Sequence, residues 1–106
     1  MLKFLSKLFK IERPDLSGVL ERKAVIIDVR TVQEYKTGAI KGAKNVPLHL
    51  LDSNVNQLKK SNKPVIAYCR SGRRSGAAVA RLKSNGIEAY NGGSLFNMQS
   101  LIKNSK

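Results

Sequence analysis

One cysteine, Cys69, ends an apolar run, Val65-Ile66-Ala67-Tyr68, and is followed by Arg70-Ser71-Gly72-Arg73-Arg74-Ser75. A stretch of small residues, Gly76-Ala77-Ala78-Val79-Ala80-Arg81-Leu82, comes next. This order puts a thiol where a buried strand gives way to a helix. A helix N-terminus and nearby arginines both favour thiolate over thiol. Backbone N–H groups of a tight loop can ring a small anion, and Gly72 allows the bend because it has no Cβ. Arg70, Arg73 and Arg74 are difficult to bury without an anion or a carboxylate. Ser71 and Ser75 add hydroxyl donors. Taken alone, these residues describe a catalytic thiolate at Cys69 acting on a small anion, with residues 70–75 as the binding loop.

The elements that must position this loop can be read along the chain. Pro14-Asp15-Leu16 starts a helix, with Asp15 as cap and Leu16, Val19 and Leu20 as its apolar stripe. Ala24-Val25-Ile26-Ile27-Asp28-Val29 is a continuous β-branched run, the pattern of a strand buried on both faces. Thr31 and Glu34 form a capping box for a short helix. Gly38 to Ala43 reads as a loop, and Lys44-Asn45-Val46-Pro47 as a short strand. Leu51, Val55 and Leu58 predict a helix from Leu50 to Lys60, broken at Ser61-Asn62-Lys63-Pro64. The strand ending at Cys69 and a helix to Lys83 follow, stopped near Gly86. Ile87 to Tyr90 is the last strand, turned by Asn91-Gly92-Gly93. Leu95, Met98, Leu101 and Ile102 then make a closing helix. Strands alternating with helices imply an α/β fold, a central parallel sheet of about five strands with helices on both faces. Ligands of such sheets bind beyond the carboxyl ends of the strands, where Cys69 falls. Asp28 ends a strand on that side and is expected to pair with Arg30 or orient the loop.

Composition narrows the partners. A chain of 106 residues with 42% apolar content can bury a core without disulfides or metal. No apolar run approaches the ~20 residues of a membrane span. A single cysteine allows no internal disulfide or CxxC site and gives no sign of an oxidising compartment, so a cytoplasmic location is expected. With one histidine besides, no metal site and no cofactor are expected. The net charge of +13 favours anionic partners. Nucleic acid is not expected among them, because the lysines are scattered and no nucleic-acid motif appears. Residues 1–10 read as a basic amphipathic extension, with Leu2, Leu5, Leu8 and Phe9 at helical spacing among lysines. The extension either packs on the domain, spanning 11–106, or makes weak contact with a membrane surface.

The chain also resembles a known family. Cys69-Arg70-Ser71-Gly72-Arg73-Arg74-Ser75 is similar to the active loop of single-domain rhodaneses, the thiosulfate-type sulfurtransferases. Ile27-Asp28-Val29-Arg30, then Glu34-Tyr35 with Gly38 to Ala43 and Asn45-Val46-Pro47, then Tyr90-Asn91-Gly92-Gly93, match the family's other signatures in order. The resemblance covers roughly residues 11–103. It implies a rhodanese-like fold, Cys69 as persulfide carrier, and an anionic sulfane-sulfur donor such as thiosulfate or a persulfide. The implied acceptor is cyanide, glutathione or a thioredoxin-like protein. Asp28 and Arg30 would be supporting residues. Two positions depart from the pattern. Ala39 stands where the family usually has histidine, and Ser94-Leu95-Phe96-Asn97-Met98 replaces an aromatic-rich closing segment.

Three alternatives use the same loop. A thiol-dependent phosphatase or arsenate reductase needs an arginine after five intervening residues, but Ser75 holds that position and the arginine comes one residue early at Arg74. Redox sensing needs an exposed thiol of low pKa. A non-catalytic binding module would not need the cysteine that this chain has.

Overall fold

The computed structural model describes residues 15–104. The amphipathic stretch over residues 1–10 and the proline before Asp15 lie outside them. Four parallel strands make one sheet in the order β2-β1-β3-β4: β1 (Val25–Asp28), β2 (Lys44–Asn45), β3 (Val65–Cys69) and β4 (Ala89–Ser94). The described residues thus hold four strands where about five were expected. Each of the four segments read as strands supplies one. β3 is buried at every residue, as its unbroken apolar run requires of a central strand.

Side-chain alternation along the strands builds two cores, one on each face of the sheet. Val65, Ala67 and Cys69 pack with Val55 and Leu58 of α3 (Val55–Ser61) and with Ala78, Val79 and Leu82 of α4 (Arg73–Ser84). Ile66 and Tyr68 point the other way, to Val19 of α1 (Leu16–Glu21) and Met98 of α5 (Leu95–Asn104). Met98 is fully buried in this core. The remaining helix, α2 (Val32–Lys36), starts with the expected capping box between Thr31 and Glu34. Asp15 caps α1 by accepting from Gly18 N at 3.3 Å.

Two segments depart from the expected pattern. The helix expected from Leu50 begins only at Val55, after 3₁₀ turns over Leu48–Leu50 and Asp52–Asn54. Ser53 Oγ and Asn54 Nδ2 donate to the Leu50 carbonyl at 2.8 and 2.9 Å, local bonds that compete with the α-helical ladder. Asn91-Gly92-Gly93 does not turn the last strand but carries it onward through a bulge. Ala67 pairs with Asn91 and Tyr68 with Gly93, so Gly92 is the extra residue. A Cβ at Gly92 would lie 2.5 Å from Met98 Sδ and 2.9 Å from Ile66 Cγ2, which is why glycine stands there.

Candidate active site

Cys69 is the last residue of β3, and Arg73 is the first of α4, so only Arg70-Ser71-Gly72 bridge them. Gly72 adopts φ +94° and caps α4 with no side-chain bond. Its own N–H turns back to donate to Cys69 Sγ at 3.0 Å. Ser75 N donates to the same sulfur at 3.4 Å, and Ser75 Oγ lies 3.4 Å from it. A Cβ at Gly72 would sit 3.5 Å from Gly93 Cα, so the loop also packs against the end of β4.

These contacts decide the state of the thiol. Burial of Cys69 pushes its pKa up, but the Ser75 hydroxyl, then the N–H groups of Ser75, Ser71 and Gly72, outweigh burial, and the net shift is downward. The stabilising groups are neutral dipoles of the loop and helix start. The arginines, also expected to favour thiolate, are not among the largest causes. Arg70 and Arg73 are exposed. Arg74 is tied to Glu34 by a fork, Nη1 to Oε1 at 2.7 Å and Nη2 to Oε2 at 3.0 Å. That guanidinium holds the Glu34 carboxyl down at about 2. Arg74 therefore braces α4 against α2.

Asp28 and Arg30 close the neighbouring strand. The Arg30 side chain wraps back onto Asp28, with Nε to Oδ1 at 2.9 Å and Nη2 to Oδ2 at 2.7 Å, and Nη2 also donates to the Gly38 carbonyl at 2.7 Å. Both residues are buried. The guanidinium lies over the Tyr68 ring, 5.8 Å from its centroid. Tyr68 Oη in turn accepts from Ile40 N at 3.0 Å. The pair is self-contained and joins β1 to the Gly38 loop; no bond runs from it to Cys69. Ala39 sits half-buried within that loop. His49 is exposed on the first 3₁₀ turn, and no bond links it to the thiol.

Two features of the site were not visible in the sequence. First, Cys69 is fully buried, so the exposed thiol that redox sensing requires is not present. The exposed residues are those of the loop above it, Arg70 and Ser71. Two open grooves flank that loop. The larger, about 770 Å³, is bordered by Ser71, Arg73, Asn91 and Asn97. The smaller, about 420 Å³, is bordered by Arg70, Leu95 and Phe96. Second, Asn91 stitches the site together. Its Oδ1 accepts from Ser75 Oγ at 2.7 Å and from Gly93 N at 2.9 Å, and its Nδ2 donates to the Gly72 carbonyl at 3.0 Å. In the sequence it was marked only as part of Tyr90-Asn91-Gly92-Gly93, with no role of its own. The arrangement can hold a thiolate, or another anion bound to that sulfur, without a fully charged partner in contact.

A family model for the rhodanese-like domain matches residues 13–95. The chain is 45% identical over 71 residues to the uncharacterized protein YqhL of Bacillus subtilis, covering 66% of this chain and 56% of that protein. It is 37% identical over 62 residues to a sulfurtransferase of Allochromatium vinosum, covering 58% and 57%. The chain thus spans little more than half the length of these two relatives. Among solved structures, an E. coli rhodanese with anions superposes with a TM-score of 0.65 at 32% identity, over 70% of this chain and 89% of that one. The human single-domain sulfurtransferase TSTD1 superposes with a TM-score of 0.65 at 26% identity, over 82% and 91%.

Proposed function

The chain belongs to the rhodanese-like family, and we propose that it is a sulfurtransferase in which Cys69 carries the transferred sulfur as a persulfide. The observation that carries this reading is the set of donors converging on one sulfur: Gly72 N at 3.0 Å, Ser75 N at 3.4 Å and Ser75 Oγ at 3.4 Å. The names of similar proteins, a sulfurtransferase of Allochromatium vinosum and tRNA sulfurtransferases of two archaea, support the same class of reaction.

The steps follow from a thiolate already present. Cys69 attacks the outer sulfur of an anionic donor, thiosulfate or a persulfide. The new S–S bond forms as the donor's S–S bond breaks, and with thiosulfate the electron pair leaves on sulfite. A thiophilic acceptor, cyanide or a thiolate, then attacks the outer sulfur and returns Cys69 to the thiolate. No general base is needed. The N–H groups at the loop and the start of α4 stabilise the persulfide anion as fixed dipoles, without reorganising during the reaction. Arg70 and Arg73, exposed beside the grooves, raise the local concentration of anionic donors. Because Cys69 is buried, small donors reach it with less displacement of the loop than bulky ones. Steady-state kinetics test the scheme. Thiosulfate and cyanide should give parallel double-reciprocal lines and thiocyanate as product. Intersecting lines would remove the two-step cycle.

A phosphatase reading is weaker. The loop is already helical at Arg73, and Arg74 is committed to Glu34. No arginine side chain is left at the position that would fork onto a phosphate.

A further inference from the structure

We propose that Asn91 is a positioning residue for Cys69, acting through the single hydroxyl proton of Ser75. The inference rests on Cys69 being the nucleophile and concerns how its ionisation is accommodated in a fully buried place. Alternation along β4 puts Ala89 and Asn91 on the face that carries Ala67 and Cys69. The bulge at Gly92 then brings Gly93 round so that its N–H meets the Asn91 side chain. A carboxamide fits this place because it has an acceptor on one side and a donor on the other. The acceptor takes Ser75 Oγ and Gly93 N; the donor takes the Gly72 carbonyl. The loop, the first turn of α4 and the end of β4 are thereby joined at one side chain.

Ser75 has one proton and two claimants, Asn91 Oδ1 at 2.7 Å and Cys69 Sγ at 3.4 Å. With a neutral thiol, S–H donates to Ser75 Oγ, and Ser75 donates to Asn91. When the thiol proton departs to solvent, the sulfur becomes an acceptor, and the Ser75 hydroxyl turns its own proton to it. Asn91 Oδ1 is not orphaned by the change, because Gly93 N–H still donates to it. Ionisation therefore leaves no polar atom of the Cys69–Ser75–Asn91 chain unpaired, which lowers the cost of a charge on the buried sulfur. Of the charged groups around Cys69, Arg70 and Arg73 are exposed to solvent. Arg74 of α4 is paired with Glu34 of α2, and Arg30, beyond the end of β1, is paired with Asp28. From β4 the polar residues on this side, Asn91 and Ser94, are neutral.

The test is the pH dependence of Cys69 alkylation by iodoacetamide, a readout that does not need sulfur transfer. It is measured for the wild type, Asn91→Asp, Ser75→Ala, Ser75→Thr and the double variant Asn91→Asp/Ser75→Ala. A carboxylate at position 91 holds the Ser75 proton more strongly, so the midpoint should rise by about one unit, roughly a tenfold loss of rate below the midpoint. In the Ser75→Ala background that rise should fall to half or less, since only through-space charge remains. An unchanged midpoint in folded Asn91→Asp, or an equal rise in both backgrounds, overturns the proposal. Should Asn91→Asp fail to fold, the Ser75 variants decide. Ser75→Ala should raise the midpoint while Ser75→Thr, which keeps the hydroxyl, leaves it in place; equal midpoints overturn the proposal. If the cycle behaves as expected and no persulfide ever forms, the proposed function fails and the positioning role of Asn91 stands.

Discussion

Asp28 and Cys69 close adjacent central strands, and both are fully buried, yet they are satisfied by opposite means. Asp28 has a full positive charge folded onto it, Arg30, in a fork that also reaches the Gly38 carbonyl. Cys69 has dipoles in contact: N–H groups of Gly72 and Ser75 and the Ser75 hydroxyl, with the Ser71 N–H also lowering its pKa. A matched ion pair leaves little field for anything else, and the Asp28 end joins chain segments. Dipoles aimed at one atom leave that atom reactive and keep their orientation when its charge changes. On the proposed function one strand end serves stability and its neighbour reaction, and their variants should divide along that line.

The largest effect is expected at the ion pair. Arg30→Ala strands the Asp28 carboxylate in the core and should cost about 3–5 kcal/mol in urea unfolding. The alkylation midpoint of Cys69 should stay where it is. A midpoint that moves with Arg30 would mean that the two ends are one electrostatic unit. Next is Gly72→Ala. A side chain at φ +94° is strained by about 1–2 kcal/mol, and the loop must also yield to the neighbouring Gly93 backbone. Here the alkylation midpoint should rise as well, because the Gly72 N–H leaves the sulfur. Loss of stability without a rise would show that this donor is dispensable.

Smaller again is the contribution of Glu34, measured by thermal unfolding against pH. Its folded pKa of about 2 lies below the ordinary 4.5, so its stabilisation is present above 4.5 and lost as pH falls from there through 2. The pair with Arg74 is partly exposed and screened, so the loss should be about 0.5–1 kcal/mol. Glu34→Gln should flatten that part of the pH curve and leave the rest. An unaltered curve would mean that the brace between α2 and α4 carries no measurable energy.

The sequence disclosed the parts of this contrast that depend on chain order. The β-branched run into Asp28 and the apolar run into Cys69 could only be central strands, and the small residues after Gly72 could only be a helix. The Asp28–Arg30 pairing was legible because two residues on one strand end have few other partners. What stayed hidden depends on through-space geometry. The place of Arg74 at the helix entrance suggested a bracing role, but nothing in the order of residues names Glu34, forty positions earlier, as its partner. Asn91 was hidden for a similar reason. Its role depends on a bulge at Gly92, and Asn-Gly-Gly in sequence reads first as a turn. Burial of Cys69 itself was also illegible, since a loop of polar residues suggests an open thiol.

The measurement that bears most directly on the central claim is intact mass after incubation with thiosulfate, wild type beside Cys69→Ser. The account predicts a gain of about one sulfur atom, removable by cyanide and absent from the variant, as covalent catalysis through a persulfide requires. A folded wild-type protein with a free thiol that gains no mass from thiosulfate or from any persulfide donor would contradict it.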